Sequence, residues 1–230
     1  MRMTGVAQKI FILGAGGHAK VVLSVAQACG RRVTALLDDA PAKHGTQVLG
    51  VPVAGDLARL PDHVQAIAGI GLNATRRAII VRLATFTNWL TLIHPRAWVA
   101  PGVEIGPGTV IMAGSIVQPG SKIGAHSIIN TGAIVDHDCI IGDFTHVAPG
   151  AHICGGVQID EGAFVCVGAS IAPYLKIGAW SVIAAGAVVL QNIASQVLTA
   201  GVPAKTKRNL AGCVKMSGSP TAAKACRQQP

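Results

Sequence analysis

Val99-Ala100-Pro101-Gly102-Val103-Glu104-Ile105-Gly106-Pro107-Gly108-Thr109-Val110-Ile111 sets a rhythm of six. Val or Ile then returns at 117, 123, 129, 135, 141, 147, 153, 159, 165, 171, 177, 183 and 189, so all 16 slots from Val99 to Val189 are filled without an insertion. With Val and Ile filling roughly a fifth to a quarter of a chain, chance does not produce that run. Other slots keep the period. Four residues after each aliphatic, 12 of 16 positions are Ser, Thr, Ala or Cys, as a tightly packed interior requires. Three residues after, 10 of 16 are Gly, and all five prolines of the segment (Pro101, Pro107, Pro119, Pro149, Pro173) sit two residues after. Pro-Gly is turn chemistry, because Pro presets φ and Gly accepts φ > 0. A short strand and a corner every six residues predict a triangular prism with 18 residues per coil. This is the hexapeptide-repeat, left-handed parallel β-helix, of about five coils and ~25 Å tall at the ~4.8 Å strand spacing.

Residues 18 apart share a column of such a prism. One corner reads Pro101, Pro119, His137, Gly155, Pro173, and beside it Gly102, Gly120, Asp138, Gly156, Tyr174. His137-Asp138 therefore stands where the repeat favours Pro-Gly, a cost in turn quality that suggests a role. The bland alternative is a solvated turn. His146 lies nine residues on, half a coil, so one prism cannot bring it to His137. Neighbouring prisms around a three-fold axis would, which predicts a site between subunits.

Outward from the repeat, residues 9–13 read as a buried strand, followed by Gly14-Ala15-Gly16-Gly17-His18-Ala19 and a helical stretch to about Cys29. A second strand over 32–37 ends at Asp38-Asp39. This satisfies the GxGxxA dinucleotide fingerprint with its acid about 20 residues on. Fewer than a hundred residues precede the prism, room for one mononucleotide half. His18 and Lys20 in the first helical turn suit a diphosphate. The turn thus reads as a nucleotide-sugar site in preference to a dinucleotide site, with a purely structural βα turn as the plain alternative. The expected organisation is a Rossmann-like α/β domain over 1–92, the β-helix over 93–205 and a basic, flexible tail over 206–230.

Composition agrees. Half of the 230 residues are hydrophobic, 3% are aromatic and 13% are charged, which excludes a disordered chain. No apolar run approaches the ~20 residues of a membrane span, and Met1 to Lys9 lacks the apolar stretch of a signal peptide. The six cysteines form no CxxC pair, so they read as reduced and the protein as cytoplasmic. The net charge is +9, and no acidic residue follows Glu161. Those basic residues are not interleaved with aromatics, against single-stranded nucleic acid. His126, His137, His146 and His152 share no column, against the three-histidine zinc site of a prism carbonic anhydrase. A catalytically silent nucleotide-binding scaffold is the remaining rival class.

The residues then point to a family. Ile12-Leu13-Gly14-Ala15-Gly16-Gly17-His18-Ala19-Lys20, Ile93-His94-Pro95, the run Ile128 to Asp138 (Ile-Ile-Asn-Thr-Gly-Ala-Ile-Val-Asp-His-Asp) and Gly201-Val202-Pro203-Ala204-Lys205 resemble the sialic-acid O-acetyltransferase-like sugar acyltransferases. The resemblance covers roughly residues 9–205. It implies an acetyl-CoA-dependent N-acetyltransferase acting on a nucleotide-linked amino sugar, a 4-amino-4,6-dideoxy hexose, in bacterial glycan biosynthesis. It implies a homotrimer, acetyl-CoA as acyl donor and no metal. By position, His137 would be the general base and Asp138 its orienting acid. His146, Gly155, Val167, Ala185 and Lys205 would lie along the acetyl-CoA, with the Gly155 N–H facing the acetyl carbonyl. Gly14, Gly16, His18, Lys20, Asp38, Gly71, Asn73 and Asn130 would surround the nucleotide sugar. Cys166 and Ala185 depart from glycines frequent in relatives. O-acetylation of a sugar or sialic acid by the same machinery is the alternative. No Ser or Cys beside His137 demands a covalent acyl-enzyme, and Cys139, in the small inward slot, reads as packing.

Overall fold

The computed structural model describes residues 8–83, 85–86 and 88–211. The chain starts with strand β1 (Ile10–Leu13), whose four side chains are all buried, and runs through the glycine turn into helix α1 (Gly17–Ala28). Strand β2 (Val33–Leu37), a small hairpin of β3 (Gln47–Val48) and β4 (Val51–Pro52), strand β5 (Gln65–Ala68) and helix α2 (Asn73–Arg82) follow. β1 lies between β2 and β5, all parallel, a single Rossmann-like half. Three strands, not six, agree with the expectation of one mononucleotide-sized unit.

From Leu92 the chain coils. Two-residue strands pair in parallel with those 18 residues away, building three flat faces. One face runs Leu92, Val110, Ile128, His146, Phe164, Val182, Leu198. The first three of these pack into the same core as Ile12 and Leu23 of the N-terminal unit, which is docked on this face. A charged face carries Glu104, Lys122, Ile140, Gln158 and Lys176, and a third face carries Trp98, Ile116, Ile134, His152, Ser170 and Val188. The solenoid has about six turns, one more than the repeat count suggested. The extra length comes from strands Leu92–Ile93 and Val197–Ala200, which continue the pairing without the full hexapeptide signature.

The inward aliphatics from Ile111 to Val189 are at most 3% exposed, the continuous core that the period predicted. The small slot has a second use. Thr109, Ser121, Ser127 and Thr145 each donate a side-chain hydroxyl to the carbonyl 15 residues on, tying one coil to the next at 2.7–3.3 Å. Cys139 makes the same link to the Cys154 carbonyl, and burial pushes its thiol up to about 11. It packs, as the sequence indicated.

The tail assignment needs correction at its start. Lys205–Asn209 form a strand antiparallel to Val197–Ala200, closing the end of the docked face, so order continues past 206. Strand pairing satisfies backbone groups that would otherwise end on an open edge. The remainder of the expected tail, 212–230, with Cys213 and Cys226, lies outside the described residues.

Candidate active site

Each corner of the prism turns on a residue in the left-handed region. The corner between the docked and third faces is glycine at every coil: Gly114, Gly132, Gly150, Gly168 and Gly186, with φ between 64° and 70°. The corner between the third and charged faces breaks that rule at Asp138 (φ 58°) and Tyr174 (φ 59°). Asp is among the few residues that tolerate this conformation. Its carboxylate lies over Gly120, one coil earlier, where any Cβ would clash with it.

The reason for Asp138 there is its neighbour. His137 Nδ1 donates to Asp138 Oδ2 at 2.8 Å, and the His137 amide donates to Asp136 Oδ1 at 2.8 Å. The Asp138 contact, with help from the charge of Asp136, raises the His137 pKa above the ordinary imidazole value. With Nδ1 carrying the proton, Nε2 presents a lone pair. That edge lies on Gly155, where a Cβ would stand 2.5 Å from Nε2. The arrangement is an exposed base with a fixed tautomer, its ring seated flush on Gly155, suited to taking a proton from a nucleophile.

A second cluster lies across the prism, between the docked face and the N-terminal unit. His146 is 7% exposed. Its Nδ1 donates to the Gly71 carbonyl at 3.1 Å, and its Nε2 accepts from Asn130 Nδ2 at 3.0 Å. Phe164 stacks on it at 4.9 Å and the His18 ring is 5.9 Å away. Burial, with the charge of Arg76, lowers the pKa of His146 to about 3 and of His18 to about 4, so both are neutral at pH 7. His18 Nε2 is buried without a partner. His18, Gly71, Asn130 and His146 are thus contiguous. His146 stands with the residues expected around the sugar, apart from Gly155, Val167 and Ala185.

The remaining expected residues divide by place. Val167 and Ala185 are exposed and precede Gly168 and Gly186 on the all-glycine corner. A Cβ on either glycine would meet nothing within 4 Å, so that edge of the chain is open. Lys205 is exposed on the closing strand, and Lys20 is exposed on α1. Gly14 turns at φ 98° with Ile70 close against it, while Gly16 is exposed. Asp38 accepts from the Ala15 amide at 2.7 Å, from Ala40 at 3.0 Å and from Lys43 at 2.6 Å. Burial alone would raise its pKa, but these three donors outweigh it and the net shift is downward. Asp38 clamps the glycine turn from behind. Asn73 donates to the carbonyls of Gly162 and Ala163, both at 3.0 Å, so its amide holds α2 to the prism. His137 occupies the corner opposite the docked face, so within one chain it does not meet the His146 cluster.

Arg76 is the residue that sequence reading missed. It is 1% exposed, and its donors go to the carbonyls of His126 (2.8 Å), Ile70 (2.9 Å), Gly71 (3.3 Å), Phe144 (2.7 Å) and Thr145 (3.4 Å) and to Asn73 Oδ1 (2.9 Å). It straps α2 and the Gly71 turn to two coils of the prism. One signal was available: Arg76 stands in the first turn of a helix, where the dipole disfavours cations. A cation there needs acceptors from elsewhere. Among the described residues, no group of three His, Cys, Asp or Glu side chains is arranged to hold a metal ion. Among them, no helix is long and apolar enough to cross a membrane.

Comparison with known proteins places this geometry. The PglD N-terminal domain family matches residues 9–83. Perosamine N-acetyltransferase from Caulobacter crescentus, solved as a histidine-to-asparagine mutant with CoA and GDP-perosamine, is 40% identical. The match covers 87% of this chain and 97% of that one, with a TM-score of 0.82. The acetyltransferase domain of PglB from Neisseria gonorrhoeae, solved with acetyl coenzyme A, is 36% identical over 87% of this chain and 99% of that one, with a TM-score of 0.80. WeeI from Acinetobacter baumannii is 27% identical over 87% of this chain and 100% of that one, with a TM-score of 0.79. No curated protein sequence matches significantly. A likeness of this strength spans both the glycine-turn unit and the prism, and by it the chain belongs to the sugar acyltransferases of the hexapeptide-repeat superfamily.

Proposed function

We propose that this protein is an acetyl-CoA-dependent N-acetyltransferase that acylates the amino group of a nucleotide-linked 4-amino-4,6-dideoxy hexose in bacterial glycan biosynthesis. The observation that carries the reading is the His137 arrangement: Nδ1 tied to Asp138 and Nε2 without a side-chain partner among the described residues, its ring seated on Gly155. The likeness to an enzyme solved with CoA and GDP-perosamine supports the substrate class.

Acetyl-CoA brings the acetyl group as a thioester. His137 Nε2 accepts the proton that the sugar ammonium must lose before its nitrogen can attack, and gives it up to solvent. The neutral amine then attacks the thioester carbonyl, the C–N bond forms and the C–S bond breaks, and a second nitrogen proton passes through Nε2 to the departing CoA thiolate. Asp138 holds the imidazole in the productive tautomer and stabilises it once charged. The Gly155 N–H donates to the acetyl oxygen as negative charge develops on it. Val167, Ala185 and Lys205 lie along the donor, while Gly14, Gly16, His18, Lys20, Gly71 and Asn130 lie around the nucleotide sugar. Asp38 and Asn73 act from behind these groups, the first on the glycine turn and the second on the seat of α2.

We propose further that the active form is a homotrimer with three sites. Each would use His137 of one chain and the His146 cluster of the next, since one prism keeps them on opposite sides. The exposed apolar residues Trp98 and Ile140 on the outer faces support association. The cytoplasm, where acetyl-CoA and nucleotide sugars meet, is the proposed compartment.

The test is thiol release from acetyl-CoA with GDP-, UDP- and dTDP-linked 4-amino sugars, each beside its 4-hydroxy counterpart. Release with at least one amino sugar and none with the hydroxy sugars supports N-transfer. Release with the hydroxy sugars alone makes the protein an O-acetyltransferase.

A further inference from the structure

At the corner that meets α2, His126, Phe144 and Trp180 take φ of 53°, 55° and 57°, a costly conformation for bulky residues. His126 lies over Gly108, and Trp180 lies over Gly162, where a Cβ would stand 2.5 Å from its ring. Each of the three has a cover within the chain. Trp89 packs edge-on against His126 at 4.9 Å, His126 stacks on Phe144 at 5.3 Å, and the Arg77 guanidinium lies 5.8 Å from the Trp180 ring. The backbone cost there serves the docking of the N-terminal unit.

Tyr174 repeats this construction at the corner of His137. Its φ is 59°, and its ring lies over Gly156, so close that a Cβ there would overlap it. Nothing in the described chain covers it, and it is 79% exposed. Its position is informative. His137 Nε2 lies over Gly155 and the Tyr174 ring over Gly156. Consecutive Cα atoms are ~3.8 Å apart, so base and ring sit over adjacent residues of one corner, the first reaching them from the coil before and the second from the coil after. A nucleophile that gives its proton to Nε2 must come within about 3 Å of it. The group bearing that nucleophile then reaches the aromatic face.

We infer that Tyr174 is a specificity-determining residue of the transferase site, its ring the surface on which the amine-bearing sugar stacks as its nitrogen meets His137. The inference rests on the proposed function. The chemistry suits the ligand: an aromatic face attracts an ammonium and packs against the C–H face of a deoxy sugar. Glycine, the residue this column otherwise favours, would relieve the backbone at the expense of that surface.

The experiment compares the parent with Tyr174→Gly and Tyr174→Phe by steady-state kinetics on the nucleotide amino sugar the parent uses, by thermal unfolding and by mass in solution. Expected for Tyr174→Gly are a KM for the amino sugar raised about tenfold, an acetyl-CoA KM within twofold, an unchanged mass and a Tm equal to or above the parent's. Tyr174→Phe keeps the ring and restores the KM to within about twofold. An amino-sugar KM unchanged in Tyr174→Gly, a change confined to acetyl-CoA, or a lower Tm with loss of the oligomer would each overturn the inference. If the parent acetylates no 4-amino sugar, the functional reading itself fails, a result distinct from an active parent that is indifferent to Tyr174.

Discussion

The Nε2 edge of His137 rests on Gly155, one coil further along the prism, so closely that a methyl group on Gly155 would stand 2.5 Å from it. Gly155 has an ordinary φ, so alanine brings no backbone strain. What must move is the imidazole. Gly155→Ala is expected to unfold at a temperature within a few degrees of the parent's and to lose roughly 10–100-fold in kcat/KM, since a base displaced by ~1 Å loses about that much. Thermal unfolding and kinetics measured on the same preparation check this. A variant that is both stable and fully active would mean that the seat of His137 on Gly155 does not matter to the reaction.

Asp138 raises the His137 pKa through its hydrogen bond, and the base works only when neutral. The acid limb of the parent's kcat/KM profile therefore lies above the ordinary imidazole value. In Asp138→Asn the raising contact weakens, the pKa falls, and the limb moves to lower pH while the plateau drops. A pH–rate series from 5 to 9 on both proteins reads the shift. A limb that stays put, or moves to higher pH, contradicts the pairing.

Three buried histidines act in the opposite sense. His18 and His126 are lowered to about 4 and His146 to about 3, in each case mainly by burial and then by the Arg76 charge. The unfolded chain takes up these protons near pH 6.5 and the folded one does not until near 4 or below. The stabilisation is present above 6.5 and is lost as pH falls toward 4, at up to about 1.4 kcal/mol per pH unit for each histidine. Denaturant unfolding at pH 7 and pH 5 measures the loss, and His126→Phe is expected to flatten the slope. Equal stability at the two pH values would show that these rings are not held neutral.

The corner-to-opposite-face separation of His137 and His146 gives a complementation test. His137→Ala and His146→Ala chains, each impaired alone, are unfolded together and reassembled in equal amounts. Random assembly of a three-fold ring leaves about a quarter of the shared sites with both histidines. Activity of the mixture well above either parent variant is the expected result. Additive residual activity alone would place the complete site within one chain.

Much of this was readable from the chain because a repeat converts sequence distance into spatial distance. Val99 to Val189 names the inward residues, and the step of 18 by itself puts Gly155 beside His137. The same logic exposed Asp138 as the exception in a glycine column. Arg76, Lys43 and the true seat of His146 were hidden because they depend on how α2 and the glycine turn dock onto the prism. No period governs that contact. Asp38 and Asn73 have the residue types of ligand contacts, yet their polar atoms serve the turn and the docking, a choice made by packing between distant segments. The strands Leu92–Ile93 and Val197–Ala200 lack the hexapeptide signature and lengthened the prism beyond its count.

The role of His137 as the base of an amine acetylation is read most directly from kcat/KM of His137→Ala on the nucleotide amino sugar that the parent uses best. Circular dichroism and mass in solution accompany it. His137 is exposed at a corner and lies outside the hydrophobic core, so fold and assembly are expected to be unchanged. The rate is expected to fall by roughly 10²–10⁴-fold, the scale of general-base removal. A folded variant with a rate within a few-fold of the parent's would contradict the account.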